Sequence, residues 1–293
     1  MNELRFALLP LTLVAALIVG QPTPPTSNPK ASIWTLPAPT EETRPASGID
    51  WSAVEPSFPD FTGVYPIPVD SADPWLEPER FTDCTKVACI ALTFDDGPLP
   101  GPTDAALKVL EEMAVPATFF VVGQFVKKYP EVLLETIAQG HEVAAHSYAH
   151  SRLTELSSES LTRDFDKTNS ILLEVTGQTP SYYRPPYGMH NQRVRDAAGM
   201  PTIMWSIDPQ DWRKANSASQ IVRYVLSRAH PGAIVLFHET LAKTTLALPE
   251  IIAGLREQGY ELVTLKEILG SPLNPEAVYR SGLTPPETAA ISD

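Results

Sequence analysis

Ala91-Leu92-Thr93-Phe94-Asp95-Asp96-Gly97-Pro98 is the stretch on which the reading of this chain turns. The apolar run Ala88 to Phe94 has the composition of a strand buried on both faces, as parallel strands are. Two adjacent carboxylates stand at its C-terminal end, and the breakers Gly97 and Pro98 follow at once. Alternation along a strand aims Asp95 and Asp96 in different directions, but the turn behind them can bring both to one cavity rim. Like charges that close resist joint ionisation unless something positive, a metal above all, sits between them. Alone, the pair also fits a turn whose carboxylates solvate and cap, so the rest of the chain has to decide.

Downstream of Cys89, apolar runs rich in β-branched and aromatic residues alternate with helix-period segments, the pattern of consecutive βα units. Strands are expected near 89–94, 117–122, 142–145, 181–184, 202–206, 233–237 and 261–264. Helices are expected at about 103–114, 124–139, 157–176, 190–199, 217–229, 243–258 and 265–269. Thr103 and Ser217 read as helix N-caps, and Gly140, Gly177 and Gly259 as helix-ending glycines. Such a series builds a barrel-like or doubly wound sheet, with its chemistry at the C-terminal ends of the strands.

Each expected strand end carries reactive residues. After the third come His146-Ser147-Tyr148-Ala149-His150, two imidazoles at a spacing that permits chelation. Joined by a carboxylate from Asp95 or Asp96, they make a two-His, one-Asp set with open positions, a catalytic rather than a structural metal pattern. The fourth ends in Tyr183-Arg184-Pro185-Pro186-Tyr187-Gly188, a rigid turn with a guanidinium able to hold a carboxylate and backbone N–H groups able to hold an oxyanion. The fifth ends in Trp205-Ser206-Ile207-Asp208-Pro209-Gln210-Asp211-Trp212, two carboxylates beside aromatic surface suited to a sugar face. The sixth ends in Leu236-Phe237-His238-Glu239, a histidine emerging from an apolar strand.

The flanks differ in kind. Arg5 followed by the apolar run Phe6 to Gly20 matches an export leader cleaved before Gln21, with an uncleaved signal anchor as the competing reading. Thirteen of the 30 prolines fall between Pro22 and Pro78, which makes this stretch a stiff, extended tether. Trp51, Phe58, Phe61, Tyr65 and Trp75 mark a later part that can lie against the folded domain. Cys84 and Cys89, close in sequence in an exported chain, favour a local disulfide. The net charge of −13 over 293 residues argues against a nucleic-acid partner, which needs a basic footprint. A membrane enters only if the leader stays uncleaved.

The ordered series TFDDGP, HSYAH, RPPYG, DPQDW and LFH resembles the five motifs of the NodB-type polysaccharide deacetylases, carbohydrate esterase family four, over roughly residues 85–270. That resemblance implies an α/β fold, a distorted (β/α) barrel of about seven parallel strands, and removal of N- or O-acetyl groups from polysaccharides with a divalent metal, usually zinc. Carried over by motif, Asp95 would be the general base, and Asp96, His146 and His150 the metal ligands. Arg184 would steady Asp95, and the backbone N–H of Tyr187 would help hold the oxyanion. Asp211 would orient His238, the general acid, with Asp208 as the alternative to Asp211. Tyr187, Trp212 and Leu236 would bind substrate and shape the acetyl pocket, while Glu239 stands where many relatives have Asp.

The expected organisation is a leader at 1–20, a lead-in at 21–80, the deacetylase-like domain at 81–272 and a tail at 273–293. The expected activity is N-deacetylation of an extracellular amino-sugar polymer, peptidoglycan or chitin-type, by a secreted or wall-associated monomer. An acetyl-xylan-type O-esterase and a catalytically silent glycan-binding module are the alternatives. Glycoside hydrolysis also needs paired carboxylates, but the two histidines and the motif order argue against it.

Overall fold

The computed structural model describes residues 82–282; the expected leader, the Pro-rich lead-in with its aromatic residues and residues 283–293 lie outside them. Among the described residues the chain runs β1 (Cys89–Asp95), α1 (Pro102–Glu112), β2 (Thr118–Val121), α2 (Gly123–Lys128), α3 (Pro130–Ala138) and β3 (Glu142–Ala145). It continues with α4 (Ser158–Thr176), α5 (Gln192–Ala198), β4 (Thr202–Ile203), α6 (Ala218–Arg228) and β5 (Ala233–His238). The last elements are α7 (Ala242–Glu257), β6 (Glu261–Val263), α8 (Leu265–Leu269) and β7 (Val278–Tyr279).

All seven residues of β1 are buried, as a strand covered on both faces requires. One edge of β1 pairs with β5 along Ile90–Asp95. The other is shared, Cys89–Ala91 with β6 and Thr93–Asp95 with β2, and β3 lies outside β2. All of these pairings are parallel. Single bridges carry the circuit on from Ala145 to Tyr183, from Tyr183 to Thr202, and from Ile207 back to Val235 of β5. The sheet therefore returns on itself as a distorted (β/α) barrel, held on one side by isolated bridges rather than full ladders.

Alternation along β1 sorts its residues between two environments. Ile90, Leu92 and Phe94 join the larger core under α1, α6 and α7, where Phe94 stacks on Phe119 and Phe237 with ring centroids 5.1 and 5.6 Å away. Burying one such side chain is worth roughly 1.5–3 kcal/mol. Cys89 and Ala91 belong to the second core, with Phe120, Ala144, Ile203, Ile234 and Val263. Thr93 and Asp95 continue that second face toward the C-terminal rim. In β5 the same alternation puts Leu236 and His238 on the face of Ile234, and the register sets Thr93 beside Leu236 and Asp95 beside His238. The apolar strands thus deliver their reactive residues to one end of the barrel. Cys84 and Cys89 are joined by a disulfide at the opposite end of β1.

Several expectations need correcting. The strand expected at 181–184 shrinks to the bridge residue Tyr183, because Pro180, Pro185 and Pro186 cannot donate to a ladder. The seventh strand is β7, which pairs with β4. Ser281 Oγ and Gly282 N–H both donate to the Gly232 carbonyl, so the domain continues through the last described residue rather than ending at 272. The helix expected at 124–139 is two, broken at Tyr129 (φ −135°, ψ 55°), since a residue before proline is driven out of the helical region. Ser217 caps α6 in a capping box with Gln220. Thr103 does not cap α1, which starts at Pro102 behind Gly101; its hydroxyl accepts the Leu99 N–H at 2.8 Å instead.

Candidate active site

Three donor atoms converge beyond the ends of β1 and β3. Asp96 Oδ1 lies 3.5 Å from His146 Nε2 and 3.1 Å from His150 Nε2, and the three ligand atoms all fall within 4.8 Å of one another. Asp96 Oδ1 is buried and has no partner of good hydrogen-bond geometry. Burial alone would raise its pKa, yet the two imidazoles aimed at it hold the carboxyl well below the usual range, so it is an anion. His146 Nδ1 lies 2.8 Å from the Arg184 carbonyl. Donation to that carbonyl puts a ring proton on Nδ1 and aims Nε2 at Asp96, where a bound metal would take the Nε2 lone pair in place of a second ring proton. One carboxylate oxygen and two imidazole nitrogens, gathered in a buried corner around an orphaned anion, fit a divalent metal that prefers mixed N and O donors.

Asp95 is held from behind. Its Oδ1 accepts from Arg184 Nη1 at 2.7 Å, and Oδ2 lies 3.7 Å from His146 Nε2. Arg184 is fully buried, and its remaining donors reach Thr93 Oγ1 (2.9 Å), the Ile203 carbonyl (3.2 Å) and the Met204 carbonyl (3.0 Å). Its guanidinium stacks 4.0 Å from the Phe120 ring centroid. A buried guanidinium needs this many acceptors to offset its desolvation, and the planar fork fixes one orientation of the carboxylate it meets.

His238 ends β5, beside Asp95. Asp211 accepts twice from it, Oδ1 from Nδ1 at 2.7 Å and Oδ2 from the backbone N–H at 2.8 Å, and Oδ2 also accepts from Thr244 Oγ1 at 2.7 Å. Burial opposes a charge on His238, but the Asp211 carboxylate, with Asp96 and Asp95 behind it, outweighs burial and pushes the pKa up to about 10. A metal dication at Asp96 would cancel the share that comes from Asp96 and Asp95, leaving Asp211 as the lasting partner. Asp208 does not touch the ring: its Oδ1 accepts the Gln210 N–H at 2.8 Å, an ordinary Asx turn.

The expected substrate residues stand apart. Tyr187 and Trp212 are about half exposed, and the Tyr187 ring meets the His150 ring edge-on at 4.7 Å. Leu236 is buried in β5, two residues before His238 and on its face. Asp96 (φ 82°), Ser147 (62°), His150 (53°), Tyr187 (62°) and Gln210 (54°) all sit in the left-handed region, and Ala114 is the one other non-glycine there among the described residues. Each such residue costs about 1–3 kcal/mol, and nearly all that strain lies in the loops at this rim. Gly97 has no room for a side chain, because a Cβ would lie 1.4 Å from Glu239 Oε1. Burial pushes the Glu239 carboxyl well above the usual range and the negative charges of Asp96 and Asp95 add to that, against hydrogen bonds from Thr103 and the Gly97 N–H that lower it.

Sequence reading missed three residues. Thr93, two before Asp95 and on the same face, was legible as a polar residue inside an apolar run. Thr244 carried no local signal. Asp164 did: it is an acid on the buried stripe Leu161, Phe165, Thr168, Ile171 and Leu172 of α4. Its Oδ1 accepts the Tyr148 N–H at 2.9 Å. Burial raises its pKa from 3.8 to about 6, against that hydrogen bond and the charge of Lys167, which lower it. The native state thus holds this proton to higher pH than the unfolded chain does, so stability falls as pH rises between the two values, by about 3 kcal/mol in all. Asp164→Asn keeps an acceptor and has no charge to bury. It should be the more stable protein at pH 7 and lack this part of the pH 4–6.5 slope, as measured by urea unfolding across that range. A parallel slope in the variant would show that Asp164 is not its source.

A family model described as polysaccharide deacetylase matches residues 82–201. The peptidoglycan-N-acetylglucosamine deacetylase PgdA of Listeria monocytogenes is 40% identical over 184 residues, 63% of this chain but 39% of that protein. The chain thus matches about two fifths of that relative's length. A chitooligosaccharide deacetylase of Rhizobium leguminosarum bv. trifolii is 38% identical over 61% of this chain and 90% of its own. A solved structure of T48 deacetylase with substrate superposes with a TM-score of 0.64 at 35% identity, over 68% of this chain and 99% of that one.

Proposed function

This chain belongs to the polysaccharide deacetylase family, and from that premise we propose that it is a metal-dependent hydrolase. It removes N-acetyl groups from an extracytoplasmic amino-sugar polymer, peptidoglycan ahead of chitin-type glycans. The observation that carries the reading is the convergence of Asp96, His146 and His150 beside Asp95, with His238 at the paired position of the neighbouring strand β5. Relatives named for peptidoglycan and for chitooligosaccharide support the substrate class, and the Cys84–Cys89 disulfide supports an oxidising compartment.

A divalent metal, zinc on this reading, would be held by Asp96, His146 and His150 and would supply Lewis acidity that polarises the acetyl carbonyl and makes water easier to deprotonate. Asp95, aligned by Arg184, takes the proton from the attacking water. The Tyr187 N–H, in its rigid Pro-Pro turn, donates to the oxygen that becomes negative as the carbonyl carbon turns tetrahedral. His238, held charged by Asp211, gives its proton to the departing sugar nitrogen, so the amine leaves neutral. Trp212 offers an exposed ring to a sugar face, and Leu236 closes the acetyl side. None of these steps needs a covalent enzyme intermediate.

The test is acetate release by purified, zinc-loaded protein from peptidoglycan, chitooligosaccharides and acetylated xylan side by side. Peptidoglycan should be fastest and xylan slowest. Faster release from xylan than from either amino-sugar polymer would replace this reading with the O-esterase one. No release from any of the three would favour a silent binding module.

A further inference from the structure

The two candidate ligand imidazoles sit four residues apart on a segment that is not a helix. Ser147 and His150 have φ values of 62° and 53°, so helical geometry does not bring the rings together; whatever holds the loop must do so. Its carbonyls are held by α2, whose first amides donate from Gly123 to the Ser147 oxygen at 3.0 Å and from Gln124 to the Tyr148 oxygen at 2.8 Å. At its start, the His146 N–H donates to the Val121 carbonyl at 2.9 Å. The N–H at its midpoint goes to a side chain, Asp164 Oδ1, at 2.9 Å.

Asp164 is an unexpected residue for that task. It is 8% exposed, lies on the apolar stripe of a 19-residue helix, and its carboxylate makes no ion pair within 4 Å among the described residues. One turn along α4, Lys167 Nζ lies 5.3 Å from the Tyr148 ring centroid, so the helix grips Tyr148 by both backbone and ring. Gly123 closes the other side, since a Cβ there would approach Tyr148 Cδ2 to 2.8 Å. A carboxylate kept in an apolar stripe at a penalty at neutral pH, and spent on one amide midway between two ligands, has a use beyond packing.

We propose that Asp164 is a positioning residue for the metal site, fixing through the Tyr148 N–H the separation and aim of the His146 and His150 rings. The inference rests on the proposed reading that these two histidines and Asp96 bind the metal. Groups that orient metal ligands from behind typically govern affinity by 10–100-fold, although they never touch the ion. The residue acts before catalysis, on how well the empty loop is already arranged for zinc.

The experiment is zinc affinity by competition with a chromophoric chelator, with thermal unfolding recorded with and without zinc. It uses wild type, Asp164→Leu and Asp164→Asn, with Asp96→Asn as the ligand-loss control. Asp164→Leu fills the space but cannot accept the N–H; it should bind zinc about 10–100-fold more weakly and show a smaller zinc-induced rise in unfolding temperature. Asp164→Asn keeps an acceptor and should stay within about threefold of wild type. A purely structural role lowers both unfolding temperatures together and leaves the difference between them unchanged. Wild-type affinity in Asp164→Leu, or an equal loss in Asp164→Asn, overturns the inference. Zinc binding that is absent from wild type, or unaltered in Asp96→Asn, overturns the underlying metal assignment and the inference with it. Asp164→Ala, read in the same way, covers the case in which leucine does not fit.

Discussion

Asp95→Asn should retain its metal and lose about 10²-fold or more of its acetate release, while Asp96→Asn should lose the metal and recover partly in excess zinc. The two residues are chemically identical and adjacent, so their surroundings must separate them. Asp95 is locked at one oxygen by Arg184 Nη1 and turned into the barrel with Thr93; an amide there keeps a hydrogen-bond acceptor for Arg184 but cannot take a proton from water. Asp96 has left the strand at φ 82° and aims one oxygen at both imidazoles. An amide there gives up an anionic ligand for a neutral one. Metal analysis and acetate-release rates on both variants read the result directly. An Asp95→Asn protein without metal, beside an Asp96→Asn protein that keeps it, would reverse the assignment.

His238→Ala should lose about 10²–10⁴-fold in acetate release from an amino-sugar polymer, the range for a missing general acid. An amine leaves badly as an anion, so a proton must reach it as the C–N bond breaks, and the Asp211–His238 pair is built to hold one. 4-Nitrophenyl acetate tells acid catalysis from structural damage, because its leaving group needs no proton. The variant should lose far less on that ester than on the amide. Equal losses on both would mean that His238 supports the site without donating a proton. Asp211→Asn should move in the same direction, since it removes the charge that keeps His238 protonated and weakens the contact that orients it.

The five motifs were legible one strand at a time. A buried parallel strand announces itself by an unbroken apolar run, and a breaker marks its end. Reactive side chains placed between the two therefore fall at the C-terminal rim whichever way the strands are ordered. That makes Asp95, Asp96, His146, His150, Arg184, Asp211 and His238 readable as candidates from the sequence. The break at Tyr129 was also written in Pro130, though helical periodicity on both sides hid it. Val278–Tyr279 was not readable, since two residues are too few for a period and the strand exists only because β4 is there to pair with it.

By itself the sequence determined the βα order, the family and the inventory of the rim, because each follows from residues adjacent in the chain. Tertiary structure alone decided which members of that inventory meet. Arg184 reaches Asp95 across 89 positions, and Asp211 rather than Asp208 reaches His238 across 27. Asp164 reaches the Tyr148 amide only because α4 packs against the loop. Such contacts depend on strand register and helix placement, which the whole core sets: a one-residue slip of β5 against β1 would turn His238 from the rim into the helix layer.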